Sequence, residues 1–315
     1  MSYYKYSDYL KTKYGEKVYK LPISIPCTCP NRDGCLGTGG CTFCGDIATG
    51  FELLPDTVPV KEQIEKNIER IGKGYGAKKF IAYFQNFSNT YLPLETLKQY
   101  LKDALHPSVV QISFSTRPDC ISRECLAIMK EFSLEHKIDI SIELGVQTVN
   151  YKTLKAINRG HSLAEVIEAI CLIKEYEFEV GCHVILNLPG DDMEDTIETA
   201  KILSALNIDT VKLHSLYILK ESELGRQYQR GEINLISMEE YQERVITFLQ
   251  YLNPHIAIQR LLARAPEGDS LFCNWNTGWW KIKDEIDAMM IQQERKQGDY
   301  FNYLGGKAVK FHQSY

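Results

Sequence analysis

From residue 19 to residue 263 the chain alternates short apolar runs with amphipathic stretches of helical period, and no other property restricts its fold so tightly. The runs at 19–25, 78–86, 109–116, 137–147, 178–190 and 210–219 are rich in β-branched and aromatic residues and read as strands. Helical stretches lie between or after them at 60–72, 93–105, 122–132, 162–176, 193–206 and 237–252. Ile64, Ile68 and Ile71 give the first of these an apolar face, while Ser162 with Glu165 and Ser237 with Glu240 have the spacing of capping boxes. Segment 256–263 reads as a further strand or as a helix start. Strands joined by helices make βαβ units and a parallel sheet. No Gly-x-Gly-x-x-Gly follows the first strand, so a dinucleotide fold lacks its fingerprint. Periodicity leaves a full barrel, a partial barrel and a doubly wound sheet all open. In each of them the C-terminal strand ends form the functional edge. Gln85, Asn86, Ser115, Arg117, Glu143, Gln147, Asn187, His214 and Ser215 fall at or near such ends.

Length and composition set bounds on the rest. A chain of 315 residues with 44% apolar residues suits one large domain, or one domain with an appendage. The first twenty residues are polar and aromatic, and no run nears the roughly 18 apolar residues of a membrane span. A cytoplasmic location without membrane attachment is the expectation, and there clustered cysteines are metal ligands or catalytic thiols rather than disulfides. The formal net charge is -5, from 36 basic and 41 acidic residues, which neither demands nor forbids nucleic acid. Lys61, Lys66, Arg70, Lys73, Lys78 and Lys79 are interleaved with Glu62, Glu65 and Glu69 and read as a solvated helix face.

Five of the ten cysteines lie in the stretch CTCPNRDGCLGTGGCTFC, residues 27–44, directly after the first strand. Cys41 and Cys44 form a C-x-x-C pair, which by itself serves zinc sites and redox dithiols equally. Cys29 completes a set of three, with Cys27 and Cys35 as spare candidates. A closed structural site needs four thiolates, for which Cys27, Cys29, Cys41 and Cys44 are available. Three thiolates leave a position for something else to bind and react. The other five, Cys120, Cys125, Cys171, Cys182 and Cys273, are scattered and read as buried or incidental residues.

The segment KLPISIPCTCPNRDGCLGTGGCTFCG resembles the cluster loop of radical S-adenosylmethionine (SAM) enzymes, in particular the Elp3-related branch and its YtqA/YhcC-like family. The likeness continues through IAYFQNFSNTY, SFSTRPDC, IELGVQTVNYKTLKAINRGH, GCHVILNLPGDD and VKLHSLYILKES, and so covers nearly residues 15–245. The usual Cys-x3-Cys-x2-Cys spacing is absent, and this family's wider spacing pairs Cys41 and Cys44 with Cys29 rather than with Cys35.

The resemblance implies a partial (β/α)6 TIM-type barrel over residues 1–250, including an N-terminal extension, with a C-terminal extension at 251–315 packed across it. It implies that Cys29, Cys41 and Cys44 hold a [4Fe-4S] cluster and that SAM is cleaved to a 5'-deoxyadenosyl radical. Glu143 and Arg159 are the implied contacts to SAM polar groups. Gln85 and Gln147 are expected near its methionine end, and Asn187 and Leu188 near adenine. Phe43 would shield the cluster or stack near adenine, while His214 and Tyr217 would meet substrate or satisfy buried hydrogen bonds. YtqA-like proteins act on the tRNA wobble uridine, so the implied reaction converts 5-carboxymethylaminomethyl-uridine to 5-aminomethyl-uridine at position 34. The implied partners are tRNA and a low-potential electron donor such as ferredoxin or flavodoxin. The acidic net charge then calls for a localised basic rim. A small metabolite as substrate, or a non-catalytic Fe-S or zinc module, are the alternatives. Trp275, Trp279 and Trp280 read as core packing of the appendage for at least one of them, or as a stacking platform for a base.

Overall fold

The computed structural model of the protein describes residues 2–45, 53–263 and 268–312. Residues 264–267 and 313–315 of the expected C-terminal extension lie outside them. The strands are β1 (Val18–Ile23), β2 (Lys79–Phe84), β3 (Val109–Thr116), β4 (Asp139–Gln147), β5 (Glu179–Ile185), β6 (Thr210–His214), β7 (Ile218–Leu219), β8 (Ala257–Arg260) and β9 (Ser270–Phe272). Seven of them form one sheet in the order β1-β2-β3-β4-β5-β6-β8, and every neighbouring pair is parallel. Strands β7 and β9 make a separate antiparallel pair.

The outward face of the sheet is apolar. Leu21, Ala82, Ile112 and Ile140 line up across β1 to β4 in register. Phe84 of β2 stacks on Phe114 of β3 with centroids 4.7 Å apart. Against this face pack Ile64, Leu97, Leu126, Ile170, Leu203 and Phe248 from the crossover helices, all buried. Burying side chains of this size contributes roughly 1.5–3 kcal/mol each, and this layer is the main source of stability. The Ser162 and Glu165 capping box is formed, and Ser237 accepts from the Glu240 N–H. The helix expected at 60–72 is regular only over Val60–Asn67 and continues as a π turn through Ile68–Gly72.

The sheet curls into a half-barrel because its inward face is polar and is tied across the lumen. Lys20 Nζ on edge strand β1 donates to Gln259 Oε1 on edge strand β8 at 2.8 Å, and both side chains bond Glu143 of β4. Two parts of the chain that sequence periodicity left vague do structural work here. Helix Tyr6–Tyr14, within the polar aromatic N-terminus, covers the N-terminal strand ends: Tyr14 donates to Asp139 Oδ2 at 2.7 Å, and Tyr9 and Lys13 bond Glu179. Just ahead of it, Tyr4 C=O accepts from the Ile258 N–H on the open edge of β8 at 2.8 Å. The segment at 256–263 supplies β8 and so adds a seventh strand to the six that the resemblance implies. Helix Trp279–Gln292 then returns to the body through buried Ile282, Ile286 and Met290.

Candidate active site

A cavity of about 230 Å³ opens at the C-terminal ends of the strands, and two unlike walls enclose it. One is the cysteine loop. Cys29, Cys41 and Cys44 all line the cavity. The loop is pinned from outside: Thr42 N–H donates to Ile157 C=O at 2.9 Å, Leu224 N–H donates to Thr42 C=O at 2.8 Å, and Asn31 Nδ2 bonds Asn158 C=O. Gly37 fits where a Cβ would lie 2.7 Å from Asn31 Oδ1. Each cysteine has its own guanidinium. Arg117 Nη1 is 3.7 Å from Cys29 Sγ, Arg159 Nη1 is 3.5 Å from Cys41 Sγ, and Arg32 Nη1 is 3.6 Å from Cys44 Sγ. The arginines are held in turn, Arg117 by a two-bond fork onto Asp119 at 2.7 and 2.8 Å, and Arg159 by Gly145 C=O at 2.7 Å. Three guanidiniums beside three sulfurs favour thiolate charge, as a set of metal-bound thiolates requires, although at Cys44 burial and then Cys41 outweigh Arg32 and raise the thiol.

The two spare cysteines are placed elsewhere. Cys27 faces Asn86 C=O and Asn89 Oδ1 at 3.5 and 3.9 Å, does not line the cavity, and burial pushes its thiol up to about 12, which keeps it protonated. Cys35 is exposed. Among the described residues no three His, Cys, Asp or Glu side chains are arranged around a single ion. A four-iron cluster has a different requirement, since it spreads its thiolates over separate irons.

The second wall comes from the strands: Tyr83 and Gln85 of β2 and just beyond, Ser115 and Thr116 of β3, Gly145 and Gln147 of β4, His183 of β5, Lys212 and His214 of β6, and Arg260 of β8. Gln147 has φ 71° where the β4–β5 register slips, a left-handed conformation that an L-residue adopts only under constraint. Its amide lies over Gly145, at which a Cβ would meet Gln147 Nε2 at 2.8 Å and Arg159 Nη2 at 2.7 Å.

Beneath this wall, Glu143 is 2% exposed and gathers four strands. It bonds Lys20 of β1, accepts from Lys212 at 3.0 Å and from Gln259 at 2.7 Å, and contacts His183 Nε2 at 2.8 Å. Burial alone would raise its pKa, but Lys20, Lys212 and the His183 bond overturn that and hold the carboxyl well below its ordinary range. Burial lowers Lys212 to about 7, with Lys20 and Arg260 adding repulsion against the pull of Glu143. Burial, then the Lys212 charge, lowers His183 to about 4, and His214 is pushed well below the usual range by burial and then by Arg260. Both imidazoles are therefore neutral near pH 7.

Of the residues singled out from sequence, Gln85, Gln147, Arg159, Phe43, His214 and Tyr217 line the cavity with the three cysteines. Glu143, Asn187 and Leu188 do not. Asn187 Oδ1 accepts from the Leu216 N–H at 2.6 Å, and its Nδ2 is buried with no partner among the described residues. Leu188 belongs to an apolar cluster with Ile157, Ile185 and Leu216, against which Phe43 packs. Arg117 and Ser115, placed by sequence at the functional edge, line the cavity too, whereas sequence reasoning gave no role to Arg32, Lys20, His183, Lys212 or Arg260. A signal existed, because charged or imidazole side chains at alternate positions inside apolar strands mark a polar lumen. The basic helix face is a solvated one: Lys61, Lys66, Lys73 and Lys79 pair with Asp103, Glu62, Glu69 and Glu16. Trp275 packs on Tyr241 and Phe272 and donates to Ile236 C=O at 2.9 Å, while Trp280 is exposed. Among the described residues no helix is long and apolar enough to cross a membrane.

Known proteins share the chain's sequence pattern and its fold. The chain is 37% identical over 301 residues to the uncharacterized protein MJ0486 of Methanocaldococcus jannaschii, covering 94% of this chain and 92% of that one. It is 30% identical over 303 residues to the uncharacterized protein YtqA of Bacillus subtilis, covering 96% and 94%. A shorter match, 28% over 160 residues, joins half of this chain to 28% of the tRNA uridine(34) acetyltransferase of Methanocaldococcus jannaschii. Among solved structures, Elp3 of Methanocaldococcus infernus superposes with a TM-score of 0.67 at 19% identity, over 89% of this chain and 64% of that one, which speaks for the fold. The model of a radical SAM C-terminal domain matches residues 208–292, and that of the radical SAM superfamily matches residues 29–203. The chain is an enzyme of the radical SAM superfamily.

Proposed function

We propose that this enzyme acts on the wobble uridine of tRNA and converts its 5-carboxymethylaminomethyl group to a 5-aminomethyl group. The observation that carries the reading is the cavity itself, in which three arginine-paired cysteines face a cationic strand wall. The likeness of half the chain to a protein named for uridine 34 of tRNA supports the choice of substrate.

Cys29, Cys41 and Cys44 fit a [4Fe-4S] cluster: they share one cavity, each lies beside a guanidinium, and the loop carrying them is fixed at both ends. With SAM, the bound cluster would supply a carbon radical able to remove a substrate hydrogen atom. The chain's own part is binding and exclusion of water. Arg32, Arg117 and Arg159 offset the charge of the cysteine wall. Gln85 and Gln147 present amides for the polar groups of SAM, and Phe43 closes the loop side against the Leu188 cluster. Asn187, with one buried amide hydrogen-bond donor in reserve, takes up the adenine side after a small side-chain movement. Glu143 acts from below by fixing Lys212 and His183. The setting is cytoplasmic, with a low-potential ferredoxin or flavodoxin as the electron source.

The test is anaerobic reconstitution with SAM, a reductant and tRNA from a strain lacking this gene, followed by nucleoside mass analysis. The expected result is loss of the carboxymethylaminomethyl group and gain of the aminomethyl group at position 34. Unchanged tRNA despite vigorous SAM cleavage would overturn the substrate and favour a small anionic metabolite. The ion pairing of the helix-face lysines fits that second reading.

A further inference from the structure

The strand wall holds more positive charge than its own carboxylate neutralises. Lys20 and Lys212 both pair with Glu143, and among the described residues it is the one carboxylate within ion-pair reach of either. With both lysines protonated, two ammoniums against one carboxylate leave one unit of positive charge in a buried place, where an uncompensated charge is costly and is relieved by releasing a proton or by binding an anion. Arg260 adds to the field, since its charge is felt by Lys20, Lys212 and His214. The surplus is not evenly distributed. Lys20 lines only a second cavity on the far side, between β1 and β8, whereas Lys212 and Arg260 stand between the two, lining that cavity and also the one that holds the cysteines, and Glu143 lines neither. Lys212 is also held in place: Nζ is 3.0 Å from Tyr83 OH and 3.0 Å from Glu143 Oε2, so the ammonium is fixed from below. Around it His183 and His214 stack at 5.3 Å between centroids, and both line the cavity. The cysteine wall is different, because each of its arginines has a sulfur beside it.

We propose that the Lys212 end of the cavity is an anchor for a single carboxylate of the substrate, with His183, His214 and Arg260 around it. A monoanion matches the one surplus charge. A lysine with flanking imidazoles suits a carboxylate, and these residues line the same cavity as Cys29, Cys41 and Cys44. This rests on the wobble-uridine reading and deepens it, since the group that would be held is the terminal carboxylate of the carboxymethyl substituent. Lys212 is then a specificity-determining residue, which separates substrates bearing that carboxylate from those lacking it.

The experiment compares equilibrium binding of two nucleosides, 5-carboxymethylaminomethyl-uridine and its carboxamide counterpart, to the full chain reconstituted with its cluster and S-adenosylhomocysteine. The unaltered protein is expected to prefer the carboxylate about tenfold or more, as a charge-assisted contact gives, and Lys212→Met to bind both within about twofold. Lys20→Met, which also takes a lysine from Glu143 but lies off this cavity, keeps the preference. Equal binding of the two nucleosides to the unaltered protein, binding of neither, or a preference that survives Lys212→Met each overturns the anchor. A parallel loss of S-adenosylhomocysteine affinity in Lys212→Met places the lysine on the cofactor and overturns it as well. If Lys212→Met does not fold, Lys212→Gln, which keeps a polar side chain but removes the charge, decides: undiminished preference in the glutamine variant counts against the assignment. The outcomes separate from those of the tRNA experiment. Carboxylate preference with unmodified tRNA leaves the anchor and removes the RNA substrate, while modified tRNA without the preference does the reverse.

Discussion

The two walls of the cavity are built in opposite ways. The cysteine wall comes from one loop, with its three cavity-lining thiols inside a span of sixteen residues, Cys29 to Cys44, and a separate arginine for each. The strand wall is assembled from β2, β3, β4, β5, β6 and β8, whose side chains meet only because the sheet curls, and its charges are shared with Lys20 of β1 around Glu143 beneath it. The first is local and modular, so its residues can be removed one at a time. The second is a network in which any deletion leaves a buried partner uncompensated.

The sharpest break concerns the loop. Cys41→Ala should abolish the cluster, read as iron and sulfide content after anaerobic reconstitution, whereas Cys35→Ala should retain it in full. Loss of the cluster in both variants would mean that the loop is not modular. On the strand wall, Glu143→Gln keeps the shape but leaves Lys20 and Lys212 without a counter-charge, at a cost of about 3–5 kcal/mol in denaturant unfolding. A loss under about 1 kcal/mol would show that the network is solvated rather than buried. A smaller disturbance comes from Gly181→Ala, whose Cβ would meet Thr210 Oγ1 at 2.8 Å and Glu143 Cγ at 3.1 Å. Overpacking at that point should cost about 1–3 kcal/mol and leave the iron content of the loop unchanged.

The mildest probe is pH. Lys212 faces Glu143, Lys20, Arg260, His183, His214 and Tyr83, and is lowered to about 7. A carboxylate binds the protonated form, which predominates below that value. Binding of the carboxylate nucleoside should therefore be strongest below pH 7 and weaken as pH rises, approaching about tenfold per unit well above it. The bound anion raises the lysine's pKa, so affinity begins to fall at the free protein's value and levels off above the value in the complex. His183 and His214 stay neutral through this window and do not reverse the trend. Flat binding from acidic to mildly alkaline pH would remove Lys212 from the contact.

How much of this was legible beforehand follows the same division. The helices and strands of the body were readable because each buries one face, so the periods of 3.6 and 2 are written in the residues. The cysteine set was readable from spacing and resemblance, and Gln85, Gln147 and Arg159 do share its cavity. Glu143 was noticed, but its place below the cavity was not, since a strand-end position does not say how deep a side chain sits. Lys20, Lys212 and His183 looked like ordinary polar positions. Their meaning depends on distant partners, from His183 and Glu143, separated by 40 residues, to Lys20 and Gln259, separated by 239. The N-terminal helix was missed because its tyrosines and lysines show no apolar stripe; its anchors are Asp139 and Glu179, residues of other strands.

By itself, the sequence determined the parallel α/β body, the loop that carries the clustered cysteines and the family, because these depend on local periodicity and on short spacings. Tertiary structure alone decided which thiols share a cavity, which arginine stands beside each, and that seven strands curl far enough for β1 and β8 to touch through Lys20 and Gln259. The physical reason is range. Helix and strand formation is settled within a few residues, whereas the charge balance of a lumen is a sum over strands that only the closed fold brings together.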